Sequence, residues 1–103
     1  METYLLIITK NKPNIKYNID YEYLNDNFIL IDENHLKINN IIYEFTYLIY
    51  SKEINVNYDS MFLMMEDGLP ITNYFHQTSV ENIIFLKEEN NLDDIINELI
   101  EEI

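Results

Sequence analysis

Carboxylates are the only side chains in this sequence numerous and close enough to suggest chemistry. They come in adjacent pairs, Glu66-Asp67, Glu88-Glu89, Asp93-Asp94 and Glu101-Glu102, with Glu98 between the last two pairs. Paired acids can act as acid and base across a scissile bond, bind calcium, or present negative charge to a basic partner. The first use needs two carboxyl groups at a defined separation around a cleft, which neighbours on one surface helix do not provide. The second fails where a calcium loop could start, at Asp32. There Leu36 and Lys37 fall where such a loop requires a ligand and a glycine. Presentation of charge is what remains.

The other reactive residues are sparse. His35 and His76 lie far apart in the chain, and there is no cysteine. Neither a metal pair nor a thiolate site is expected. Gly68 is the only glycine, whereas phosphate-cradling loops, dinucleotide fingerprints and nucleophile elbows all need several. No cofactor, no metal and no enzymatic activity are expected. Direct nucleic-acid binding is disfavoured as well, because phosphates are bound by displacing counterions with basic groups. Here arginine is absent and lysines number six. Lys10, Lys12 and Lys16 flank one early turn and read as guards of an edge strand.

The acid is unevenly distributed. Residues 1–52 hold seven acids and five lysines, a net charge of −2; residues 53–103 hold twelve acids and Lys87, a net charge of −11. Codon drift toward AT would enrich Ile, Asn, Tyr and Phe, as seen, but it would enrich lysine too. With fifteen asparagines against six lysines, the net charge of −13 is not explained by drift. Such asymmetry speaks to partners rather than to fold.

The elements that must position these acids can be read from periodicity. Residues 3–9 form a short apolar run that reads as a buried strand. Residues 15–23 alternate, with Ile15, Tyr17, Ile19, Tyr21 and Tyr23 on one side, which reads as a half-buried antiparallel strand. Strands are expected at 28–32, 35–39, 41–51 and 54–59, and a buried segment at 61–67. Turns are expected at 11–14, 25–27, Asn39-Asn40 and 67–70. The 41–51 run is apolar on both faces and should be central. Thr78 and Glu81 have capping-box spacing, so 79–87 could be helical, but its composition favours a strand at 82–87. Leu92, Ile95, Ile96, Leu99, Ile100 and Ile103 form one helical stripe, with Asn91 as the expected side-chain cap. The expected fold is α+β: one domain over 1–103, an antiparallel sheet of about six strands with one C-terminal amphipathic helix packed on it.

The terminal helix keeps its acid at a structural cost. Asp94 and Glu98, and Glu98 and Glu102, are like-charge pairs four residues apart, each unfavourable by roughly 0.2–0.5 kcal/mol. Glu101 and Glu102 sit at the negative end of the helix dipole, worth roughly 0.3–1 kcal/mol each against the fold. Its charge density, about one per 3.6 Å of axis, approaches the roughly 3.4 Å phosphate repeat of one DNA strand. The nine tyrosines add side chains suited to interfaces. The expectation is a small acidic binding protein, an inhibitor that mimics nucleic-acid charge to block a DNA- or RNA-processing enzyme, as anti-CRISPR and anti-restriction proteins do. Its expected partner surface is Glu66, Asp67, Glu88, Glu89, Asp93, Asp94, Glu98, Glu101 and Glu102. An immunity protein or antitoxin against a basic toxin, and a self-associating viral assembly protein, are the alternatives. The start Met1-Glu2 lacks the basic region of a secretory signal, and no apolar run is long enough to span a bilayer, so a cytoplasmic protein is expected.

Overall fold

The computed structural model describes residues 2–103. In chain order the elements are β1 (Glu2–Ile8), β2 (Tyr21–Leu24), β3 (Phe28–Leu30), β4 (His35–Ile38), β5 (Ile41–Ser51), β6 (Val56–Tyr58), β7 (Met65–Glu66), β8 (Leu69–Pro70), β9 (Ile83–Leu86) and α1 (Leu92–Glu102). The α+β class is as expected, with α1 the C-terminal helix. The sheet is not the expected antiparallel one of about six strands. It is mixed and seven-stranded, in the order β2-β1-β5-β4-β3-β6 with β9 also on β5, and β7-β8 form a separate hairpin. Within this sheet β2, β1, β5 and β9 run parallel, as do β3 and β6, while the pairs β3-β4 and β4-β5 are antiparallel. Alternation in sequence reports a half-buried strand, not the direction of its neighbours. Parallel neighbours need long crossovers, and the segments 9–20 and 52–82 supply them.

β5 is central because each end of it has a different neighbour on one edge. Residues 41–44 pair with β4 and residues 48–51 with β9, while β1 runs along the other edge. Where the neighbour changes, two asparagine amides replace ladder bonds. Asn34 Nδ2 donates to the Phe45 carbonyl (3.2 Å), and Asn82 Nδ2 donates to the carbonyls of Thr46 (2.9 Å) and Glu33 (2.7 Å). The pairing of β1 with β5 also skips Tyr4 and Thr46. Face alternation slips there: Tyr43 and Phe45 share a cluster with Leu48 and Tyr50.

The sheet has apolar side chains on both faces. One face carries Leu6, Ile8, Leu48, Tyr50, Ile83 and Phe85, covered by the 52–82 excursion through Ile54, Leu63, Leu69 and Val80. The Tyr50 ring packs against Phe28 and Phe85 at centroid distances of 5.4 and 5.1 Å. The other face carries Leu5, Ile7, Ile49, Ile84 and Leu86, covered by α1 through Leu92, Ile96, Leu99 and Ile100.

The Asn39-Asn40 turn falls where the sequence indicates, whereas the expected 67–70 turn is only Asp67-Gly68, because Leu69–Pro70 is strand β8. Asn39 and Asn40 have φ of 48° and 69°, and Asp67 and Gly68 have φ of 52° and 79°. This is the doubly left-handed geometry of a two-residue hairpin. Other segments depart from the sequence reading. Residues 15–20 are irregular, and only Tyr21–Leu24 joins the sheet, parallel to β1 rather than antiparallel. Ile15, Ile19 and Tyr23 pack on the α1 side, but Tyr17 and Tyr21 are exposed, so the alternation recorded burial only in part and without strand pairing over 15–20. In 61–67, Leu63 is buried whereas Met61 and Met64 are exposed. Ile83–Leu86 is a strand and not a helix. Thr78 Oγ1 accepts from Val80 N and donates to the Ile83 carbonyl, closing a turn that leads into β9. Among the described residues no helix is long and apolar enough to cross a membrane.

Candidate functional site: an acidic helix beside an aromatic loop

α1 has two uses for its acids. Its stripe of Leu92, Ile96, Leu99 and Ile100 is buried, and Asp94, Glu98, Glu101 and Glu102 are exposed on the remaining surface. Asp93 turns back toward the fold: its Oδ1 accepts from Asn14 N at 2.8 Å. Asn97, which is buried, continues the grip. Its Oδ1 accepts from Lys16 N (2.8 Å), and its Nδ2 donates to the carbonyls of Asn14 (2.8 Å) and Asp93 (2.7 Å). The flank of the helix therefore holds the 14–16 segment by its backbone. This places the segment of Lys10, Lys12 and Lys16 against α1, not along an unpaired strand; Lys12 borders a groove with Glu89, Asp93 and Asp94. Among the described residues the ion pairs within 4.0 Å are both made by His35, to Asp32 (2.9 Å) and Glu44 (3.5 Å).

The helix begins without the expected side-chain cap. Asn91 has φ 57°, and its carbonyl, not its amide, engages the first turn by accepting from Ile95 N (3.0 Å). Side-chain capping accompanies an extended residue at this position. A left-handed asparagine directs its amide elsewhere.

Glu89 is also occupied within the fold. Its carboxylate accepts from Lys10 N (2.8 Å), Asn11 N (2.9 Å), Asn11 Nδ2 (3.1 Å) and the Ser51 hydroxyl. Successive backbone N–H groups of this kind form an anion nest, here at the carboxyl ends of β1 and β5 and filled by the protein's own side chain. Partial burial opposes the charge, but the Ser51 hydroxyl and the Lys10 and Asn11 amides outweigh it and hold the carboxyl below its ordinary pKa. Tyr23 steadies the same turn by donating its hydroxyl proton to the Thr9 carbonyl at 2.9 Å. Nothing in the spacing of Glu88-Glu89 distinguishes the engaged acid from its exposed neighbour.

Beside α1 stands a loop to which the sequence reading assigned no element. Its tip exposes Tyr74 (98%) and Phe75 (61%). Asn73 organises it: Oδ1 accepts from Phe75 N (2.9 Å) and Gln77 N (3.0 Å), Nδ2 donates to Gln77 Oε1 (2.9 Å), and the Asn73 carbonyl accepts from His76 N (3.1 Å). His76 takes φ 61°. Asn, Asp and His are the non-glycine residues most often found in that region. The loop base is fastened to β9 by Phe85 N to the His76 carbonyl (2.9 Å) and Thr78 N to the Ile83 carbonyl (3.0 Å). The aromatic pair in "NYFH", flanked by polar residues and belonging to no apolar pattern, was the available signal.

Loop and helix enclose a groove of about 210 Å³ lined by Tyr74, Phe75, His76, Ile95, Glu98, Leu99, Glu101 and Glu102. On the other side of Tyr74 a second depression includes Lys87 and Glu88. Four of the nine acids named from sequence, Glu88, Glu98, Glu101 and Glu102, thus surround one aromatic loop. Asp94 is exposed farther up α1, near the groove bordered by Lys12. Glu66 and Asp67 are elsewhere. Their hairpin packs through Met65 and Leu69 on the sheet face opposite α1. His35 and His76 stand apart, and no metal-binding cluster occurs among the described residues. Compared with family models, curated proteins and solved structures, the chain matches none of them.

Proposed function

We propose that this protein acts by binding and not by catalysis: a small acidic inhibitor that occupies the basic nucleic-acid-binding surface of a DNA- or RNA-processing enzyme. The observation that supports this reading is the exposed carboxylate surface of α1 (Asp94, Glu98, Glu101 and Glu102), whose groove with the aromatic loop is lined by no lysine. The fold gains nothing evident from that concentration of like charge, and a basic surface would neutralise it. The mimicry is one of charge more than of spacing. Leaving aside Asp93, which is exposed but holds Asn14 N through one oxygen, four carboxylates remain over about 12 Å of helix, sparser than the phosphates of one strand.

The test is capture from a lysate at low salt, followed by competition. The protein retained should be a nucleic-acid binder that is released by added duplex DNA or RNA and by salt. A captured protein displaced by salt but indifferent to nucleic acid would refute this reading and favour a basic toxin as the partner.

A further inference from the structure

We propose that the groove between the Tyr74-Phe75 loop and α1 seats an arginine side chain of a basic protein partner. This rests on the acidic-face reading above and adds to it the place and the chemistry of the contact. Three observations converge there. Tyr74 and Phe75 are exposed at the tip of a turn whose backbone Asn73 clasps through its side chain and carbonyl, so the turn presents both rings to solvent. Glu98, Glu101 and Glu102 line the same groove, and Ile95 and Leu99 add an apolar lining between acids and rings. No lysine or arginine lines it, and Lys87 lines the adjoining depression that shares Tyr74, His76 and Ile95.

Those features select among occupants by charge complementarity. An anionic ligand is repelled, and a purely apolar segment would strip water from carboxylates without replacing it. A guanidinium satisfies both kinds of wall: its planar face stacks on an aromatic ring while its N–H fork bonds carboxylates. A lysine ammonium matches the charge but offers no plane and no fork. Because Asn73 already holds the turn's backbone, contact need not order the loop itself, which favours its exposed aromatics as anchors.

The experiment compares two probes of equal charge, the peptides acetyl-(Gly-Arg)4-amide and acetyl-(Gly-Lys)4-amide, by NMR titration of the full chain at low salt. The arginine peptide should bind about fivefold more tightly and shift the resonances of Tyr74, Phe75, Glu98 and Leu99. The double substitution Tyr74→Ser and Phe75→Ser keeps every charge and replaces two exposed residues. It should leave the thermal midpoint unchanged and reduce the arginine peptide to the affinity of the lysine peptide. Equal affinities for the two peptides, or an arginine preference that survives the double substitution, would overturn the proposal. Salt-sensitive binding of both peptides would then still support the acidic face, whereas no binding of either would count against both readings.

Discussion

Glu89→Gln should destabilise this protein although it removes negative charge from a chain of net charge −13. In a chain so acidic, losing a carboxylate ordinarily relieves repulsion. Glu89 differs because four donors converge on it: Lys10 N, Asn11 N, Asn11 Nδ2 and the Ser51 hydroxyl. The Lys10 and Asn11 groups lie on exposed residues, where water can replace the lost acceptor. Ser51 is fully buried, and its hydroxyl proton has no such recourse. A buried donor left unsatisfied costs about 1–3 kcal/mol. The amide keeps one acceptor oxygen but turns an NH2 group toward donors, so the loss should fall in that range. Glu88→Gln, at the exposed neighbour, should stay within about 0.5 kcal/mol of the parent. With a urea slope of roughly 1–3 kcal/mol per molar, the two variants should differ in midpoint by about 1 M at pH 7. Equal midpoints, or a more stable Glu89→Gln, would show that the nest does not hold the β1 turn. The pH dependence carries the same sign. The folded carboxyl titrates below its ordinary value, which is about 4.3, so its contribution is complete above that value. It is lost as pH falls through the folded pKa. Glu89→Gln should lack that part of the acid sensitivity.

Ile96→Ala should cost about 2–5 kcal/mol, since Ile96 is fully buried between α1 and the sheet, and chemical denaturation will show it as a midpoint shift without loss of cooperativity. Asn97→Leu should cost about 1 kcal/mol despite its greater hydrophobicity, because the bonds to Lys16 N and the Asn14 carbonyl are lost, although water can reach both on their exposed residues; faster amide exchange of Lys16 will report the release of the 14–16 segment. His35 donates toward Asp32, which holds its pKa above the ordinary value, with Glu44 adding to the effect. Its stabilising contribution is therefore fully present below about pH 6.5 and is lost as pH rises through the raised pKa. Asp32→Asn should lower the His35 midpoint in an NMR titration.

What the sequence made legible was whatever depends on one residue's neighbours along the chain. The α1 stripe appears because a helix on one face must repeat every 3.6 residues. Asn39-Asn40 and Asp67-Gly68 appear because few residue pairs accept two left-handed conformations in a row. The second half of β5 appears because an apolar run on both faces has to be enclosed, whereas Ile41 and Ile42 in its first half stay exposed. What stayed hidden depends on residues far apart in the chain. Ile15 and Ile19 face inward like strand residues, yet Asp93 and Asn97 hold the adjoining backbone at the helix. Asn97 sits in an acidic helix with nothing local to mark it as buried, and Glu89 looks like Glu88 until Ser51 and the β1 turn arrive beside it. The sheet's parallel half was hidden for the same reason, since strand direction is set by crossovers and not by side-chain order. Of the acidic surface, the α1 residues were legible from their spacing. The aromatic loop they flank was not, because Tyr74 and Phe75 belong to no periodic element.

The central claim is that the acid on α1 is there to be recognised. It is tested most directly by the affinity of a captured partner for the wild-type chain and for the quadruple variant Asp94→Asn, Glu98→Gln, Glu101→Gln and Glu102→Gln. The variant should fold with an equal or higher midpoint, since like-charge pairs and dipole conflicts are removed. Its affinity should fall at least about tenfold, mainly through slower association that depends less steeply on salt. Undiminished binding by the folded variant would mean that the charge only keeps the helix in solution.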